Sequence, residues 1–223
     1  MSIRTNYITV LGAGVLGAQI AFQSAFKGKR VTCYTPFEEE LPKAKESHRK
    51  LCQNYKDDLN ATDQELEATL LRLTYTTDLQ RAASNADIVM EVVPEVPEIK
   101  QKTYRQLAPH LPEHTVVLSN SSTLLPSDFA DATGRPEKFS ALHFANEIWR
   151  LNVVEIMGHP GTSRETFEAA AQYAIEIGMV PIAVSKEHPG YVLSYWLDIM
   201  LNACQTLVTN GVATAEDIDR TYL

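Results

Sequence analysis

Residues 12–17 read Gly-Ala-Gly-Val-Leu-Gly, a G-x-G-x-x-G spacing set between a short apolar run and a run of small residues. After a strand and before a helix, that spacing suits a dinucleotide. Gly12 allows the tight turn, Gly14 lets the backbone approach a pyrophosphate, and Gly17 lets helix and strand pack closely. The helix N-terminus adds free N–H groups and partial positive charge. A glycine-rich turn without a ligand is the alternative, and the β-α-β order around it argues against that. Further on, His143 ends one predicted strand and Glu155 lies in the next, twelve positions later. Histidine is the side chain whose ordinary pKa lies nearest neutrality, so it can accept a proton and return it. A carboxylate on the far ring nitrogen fixes the tautomer and favours the charged ring. The bland alternative is a core histidine that meets a buried glutamate for stability alone. Ligands in open α/β sheets bind at strand ends, which favours the chemical reading.

Other reactive side chains lack a setting. His110 and His114 have metal-ligand spacing, but Pro112 between them breaks the helix that spacing requires. His48, His159 and His188 have no ligand set nearby, so no metal site is expected. Ser121 and Ser122 lack a nucleophile elbow, which argues against a hydrolase. Cys33, Cys52 and Cys204 lie far apart with no C-x-x-C pair. Such a set suits a reducing compartment, and the expected location is cytoplasmic.

The elements that must position these groups alternate. Residues 7–11 (YITVL) and 30–34 (RVTCY) read as strands flanking a helix over 15–27. A charged stretch, about 38–73, reads as two helices, the second opened by a capping box at Thr62-Asp-Gln-Glu65. Strands are expected at 87–93, 115–119, 139–144, 153–157 and 179–184, with a helix from about 97 to 108. A second capping box, Thr162-Ser-Arg-Glu165, opens a helix that ends at Gly178. After His188-Pro189-Gly190 the character changes to a long apolar helix over 191–208, then a helix from near Thr214. The expected fold class is α/β: a Rossmann-type, mostly parallel sheet domain over 1–187, followed by an all-α C-terminal domain. That second domain, 188–223, reads as incomplete. An apolar helix needs a covering surface, so the missing part of the domain or a homodimer is expected to supply it.

Composition narrows the partners. With 28 acidic against 20 basic residues in 223, the net charge is −8, and no Lys/Arg cluster offers a footprint for nucleic acid or an anionic membrane. The short polar start argues against a secretory signal. No apolar run approaches the roughly 20 residues a membrane span needs. One feature breaks the nucleotide pattern. The end of the second strand, where Asp or Glu usually meets the adenosine ribose, reads Tyr34-Thr35-Pro36. Thr35, Pro36 and Glu38 instead look like an N-cap, a first-turn proline and an N3 glutamate. Glu38 and Glu39 would repel a 2′-phosphate, so NAD is expected, with NADP still open.

From Ala86 onward, further motifs accompany the glycine loop: Ala86-Asp-Ile-Val-Met-Glu-Val-Val-Pro-Glu95, Ser119-Asn-Ser-Ser-Thr123, Leu142-His-Phe-Ala-Asn146, Val154-Glu155 and Pro189-Gly190-Tyr191. In these the chain resembles the L-3-hydroxyacyl-CoA dehydrogenase family, especially its 3-hydroxybutyryl-CoA dehydrogenase-like bacterial members. The resemblance implies an NAD-dependent oxidoreductase that interconverts a short-chain L-3-hydroxyacyl-CoA and its 3-keto form. It makes His143 the general base, Glu155 its ring-holding partner, Ser122 a hydrogen-bond donor to the reacting oxygen, and Asn146 a contact to cofactor or substrate. It also sets Glu95 and Lys100 near the nicotinamide ribose, beside Gly12, Ala13, Gly14, Val15, Leu16, Gly17 and Thr35 in the cofactor site. Three departures stand out. Ala145 and Glu147 replace Phe and Pro after the histidine. Ser194 falls on the family's catalytic asparagine. Asn54, between Lys50 and Lys56, falls near a lysine the family uses on CoA phosphates. A free 3-hydroxy acid, as in carnitine or gulonate dehydrogenase-like relatives, is the alternative substrate; a non-catalytic nucleotide-binding protein is the alternative class.

Overall fold

The computed structural model describes residues 4–222. β1 (Tyr7–Leu11), α1 (Val15–Phe26) and β2 (Arg30–Tyr34) form the opening β-α-β unit. α2 (Glu40–Leu59) and α3 (Asp63–Leu71) follow, then β3 (Leu73–Thr76) and the short α4 (Leu79–Ala83). β4 (Ile88–Glu91), α5 (Pro97–Leu107) and β5 (Val116–Ser119) lead to β6 (Phe139–Phe144) and β7 (Val153–Met157). α6 (Arg164–Glu176), β8 (Val180–Val184), α7 (Leu193–Thr209) and α8 (Ala215–Tyr222) complete the strands and α-helices among the described residues.

Among the described residues, eight strands join one sheet in the order β3-β2-β1-β4-β5-β6-β7-β8. The first six run parallel; β7 pairs antiparallel with β6, and β8 runs parallel to β7. The expected mostly parallel sheet is therefore present. β4, β5 and β6 are buried along their whole length, as their near-continuous apolar sequences require of strands covered on both faces. The chain builds outward from β1 to β3 and then returns to β4 on β1's other side. The strand order thus reverses between β1 and β4, and open α/β sheets bind ligands outside the carboxyl ends of the strands at such a point. Beneath it, α1 packs against α2 through Phe22 and Tyr55, whose rings meet edge to face at 4.7 Å.

Local signals succeeded where one backbone group had one available partner. The Thr62 box forms: the Thr62 N–H donates to the Glu65 carboxylate at 2.9 Å, and the Glu65 N–H donates to the Thr62 hydroxyl at 3.3 Å. Two caps are corrected. α2 begins at Glu40, not near Pro36, because the Thr35 hydroxyl donates to the Glu40 carboxylate while residues 36–39 turn. α6 is capped by Ser163, which accepts the Thr166 N–H at 3.1 Å; the Thr162 hydroxyl donates instead to the Phe139 carbonyl at 2.8 Å. β3 and α4 were not expected. β3 is a four-residue edge strand whose extended state comes from pairing with β2, a contact that local sequence does not carry. No residue of α7 is buried, and Tyr195, Trp196, Ile199 and Leu201 are exposed along it. Among the described residues no helix is long and apolar enough to cross a membrane.

Candidate active site

The glycine loop sits at the carboxyl end of β1. Gly12 has a φ of 119°, and a Cβ there would lie 2.4 Å from the Val92 carbonyl oxygen, so only glycine fits against the β4 end. A Cβ on Gly17 would lie 2.4 Å from the Gly12 carbonyl oxygen, which sets the close approach of α1 to the loop. Gly14 differs: a Cβ there meets nothing within 4 Å. The backbone at Gly14 is thus left open on the side a ligand would approach. α1 starts at Val15 with no side-chain cap and no acidic residue in its first turn. Its leading N–H groups and the positive end of its dipole are available to an anion, with no carboxylate to repel one. These residues fit a dinucleotide pyrophosphate.

His143 and Glu155 are register partners across β6 and β7, which puts their side chains on one face. His143 Nδ1 lies 2.9 Å from Glu155 Oε2, and His143 Nε2 lies 3.1 Å from the Ser122 hydroxyl. Both His143 and Glu155 are buried. The second Glu155 oxygen accepts the N–H groups of Val192 and Leu193, each at 2.9 Å, where α7 begins. Burial pushes the Glu155 carboxyl up, but the bonds from His143, Leu193 and Val192 outweigh it and hold the group below its ordinary value. An ionised Glu155 takes a proton-bearing Nδ1, which leaves Nε2 as the acceptor facing Ser122.

The serine loop is fixed from behind. Glu95 Oε1 accepts the Ser122 and Thr123 N–H groups at 3.0 Å each and the Ser121 hydroxyl at 2.5 Å. Burial raises the Glu95 carboxyl, and the Ser121, Thr123 and Lys100 contacts overcome this, lowering it to about 2. Lys100 is only 1% exposed and lies between Glu91 at 2.8 Å and Glu95 at 3.2 Å. Its ammonium therefore stands one layer behind the cleft. Glu91 ends β4 fully buried, where it also accepts the Ser119 hydroxyl at 2.7 Å and the Tyr104 hydroxyl.

Of the residues singled out from sequence, His143, Glu155 and Ser122 meet, and Glu95 and Lys100 support them. Asn146 lies exposed beyond β6, and among the described residues no hydrogen bond joins it to that group. Thr35 is buried at the tip of β2, with its hydroxyl given to Glu40. Sequence reasoning assigned no role to four supporting residues, three of which (Glu91, Asn120 and Tyr191) stand inside the quoted motifs. Asn120 accepts the Phe144 N–H at 2.9 Å and so fixes the end of the histidine strand. Tyr191 stacks on the His143 ring, with centroids 4.6 Å apart, from a backbone φ of 54°. Gln19 of α1 accepts the Glu147 N–H at 2.8 Å, tying the loop after β6 to the nucleotide helix. Glu91 carried the one usable signal, a charge inside an apolar strand run.

The model of the 3-hydroxyacyl-CoA dehydrogenase NAD-binding domain matches residues 7–188. The human mitochondrial hydroxyacyl-coenzyme A dehydrogenase is 32% identical over 222 residues, covering 97% of this chain and 70% of that protein. L-carnitine dehydrogenase of Pseudomonas putida is 30% identical, covering 94% and 64% of the two chains. A solved diketoreductase, described as acting on dicarbonyl compounds, superposes with a TM-score of 0.93 at 42% identity, covering 98% and 77%. With the glycine loop open to a dinucleotide, these likenesses identify an NAD-dependent oxidoreductase acting on CH–OH groups, and the chain belongs to the 3-hydroxyacyl-CoA dehydrogenase family.

Proposed function

We propose that this chain interconverts a 3-hydroxyacyl group and its 3-oxo form, with His143 as the acid/base. The supporting observation is the unbroken line of bonds from Ser122 through His143 and Glu155 to the start of α7. Bound NAD supplies the hydride acceptor, and the reduced cofactor supplies the donor. The chain's own residues handle the proton. Ser122 hydrogen-bonds the reacting oxygen and holds it against His143 Nε2. His143 takes the hydroxyl proton there, and Glu155 stabilises the imidazolium that results. In reduction, Nε2 returns the proton to the oxygen. Asn146, on the exposed side, contacts the cofactor or substrate.

The first reading of the acyl carrier is a short-chain coenzyme A thioester, in keeping with the family. A free 3-hydroxy acid or a small dicarbonyl is the second, favoured by specific residues. Asn54 lies near the position of the CoA-phosphate lysine, and neighbouring Lys56 is already paired with Asp63. The carnitine dehydrogenase and diketoreductase likenesses support the same reading. We take residues 188–223 as the start of a helical domain, and a second copy of the chain as the partner that covers α7. The setting is the cytoplasm, where three free thiols are stable.

His143→Ala tests the central assignment. Turnover should fall about a hundredfold to ten-thousandfold, while the NADH dissociation constant from a fluorescence titration stays unchanged. Unchanged turnover would make the His143–Glu155 pair a structural contact.

A further inference from the structure

The adenosine end of the cofactor site lacks the acid that β2 is expected to supply. The Gly12 N–H donates to the Tyr34 carbonyl at 3.0 Å, so Thr35 begins where β2 touches the glycine loop. Thr35 cannot stand in for the acid, since it is buried and its hydroxyl is committed. The hydroxyl donates to Glu40 in the first turn of α2, which brings that carboxylate back to the tip of β2. Glu40 is partly exposed, and no Lys or Arg pairs with it among the described residues. The Thr35 bond uses one lone pair of Oε2, which leaves acceptor sites on both oxygens. The sequence expectation that Glu38 and Glu39 repel a 2′-phosphate is corrected, because these acids are disposed differently. Glu38 accepts the Thr77 hydroxyl at 2.7 Å, beyond β3, and Glu39 is exposed as the N-cap of α2.

We propose that Glu40, held by Thr35, is the carboxylate that receives the two adenosine ribose hydroxyls and makes the site select NAD over NADP. The helix contributes the acid that the strand lacks. A 2′-phosphate would meet an unneutralised carboxylate, whereas vicinal hydroxyls would meet two oxygen acceptors. The proposal rests on the glycine-loop site and not on the His143 chemistry. A binding measurement therefore separates the two.

The test is calorimetric titration of the intact chain with NAD+ and NADP+, with no substrate present. The unaltered chain should bind NAD+ at least about tenfold more tightly than NADP+. Glu40→Gln keeps an oxygen for the Thr35 hydroxyl but removes the charge. It should weaken NAD+ about tenfold and leave the two cofactors within about threefold of each other. Glu38→Gln and Glu39→Gln should leave the ratio unchanged. Thr35→Ala, which frees Glu40, should shift the ratio the same way and serves if Glu40→Gln fails to fold. A lowered melting temperature with an unchanged NAD+/NADP+ ratio in both variants would reduce Glu40 to a helix-end acid and overturn the proposal. Failure of the unaltered chain to bind either dinucleotide would overturn the cofactor site itself, and the proposal with it.

Discussion

A histidine presents a chosen ring nitrogen as a base when a partner on the other nitrogen fixes its tautomer. Glu155 does this for His143, and the Val192 and Leu193 amides hold Glu155 in turn. In Glu155→Gln, the amide oxygen would take the α7 N–H groups and its NH2 would face Nδ1, forcing the proton onto Nε2. Turnover should then fall about a hundredfold or more, with little change in NADH affinity. A pH effect on stability goes with it. The folded pKa of Glu155 is depressed, so the group stabilises the fold above its unfolded value of about 4.3, and that contribution is lost as pH falls through the depressed value. Denaturation followed across that acidic window should show a smaller pH slope in Glu155→Gln. The pair was legible in sequence because both partners are chemical residue types on successive predicted strands, His143 near the end of one and Glu155 within the next. Tyr191 and Asn120 were not, since stacking on a ring and accepting one backbone N–H leave no mark on spacing.

Among the elements, the glycine loop gives the clearest separation of fold from function. Gly12 and Gly17 are required by backbone contacts, whereas Gly14 faces open space. Gly17→Ala should cost about 1–3 kcal/mol through overpacking, seen as a lower melting temperature. Gly14→Ala should melt like the unaltered chain yet bind NADH much more weakly. A lowered melt in Gly14→Ala, or undiminished NADH binding, would contradict this division. The strands that carry the site were readable because they are apolar, buried and bounded by turns. β3 and the true start of α2 were not readable. Both are decided by partners distant in sequence or by side chains that compete for one hydroxyl, as Glu40 does at Thr35.

Across the whole molecule, the sheet brings chemistry from distant segments to one edge. The glycine loop follows β1, Ser122 follows β5, and His143 lies next to the end of β6, all on strands that run the same way. The reversed β7 adds Glu155 alongside, and the start of α7 closes the site over Tyr191. The net charge of −8 repels a polyanion such as nucleic acid and has no part in this arrangement. We propose that this edge reduces a 3-oxo carbonyl at the expense of NADH. NADH absorbance followed with acetoacetyl-CoA, with free acetoacetate in parallel and NADPH as the control, decides this. Rapid NADH oxidation is expected with the thioester and little with NADPH; turnover with the free acid alone would keep the chemistry and change the carrier. No NADH oxidation with either carbonyl compound would overturn the assignment of this edge as the reducing site.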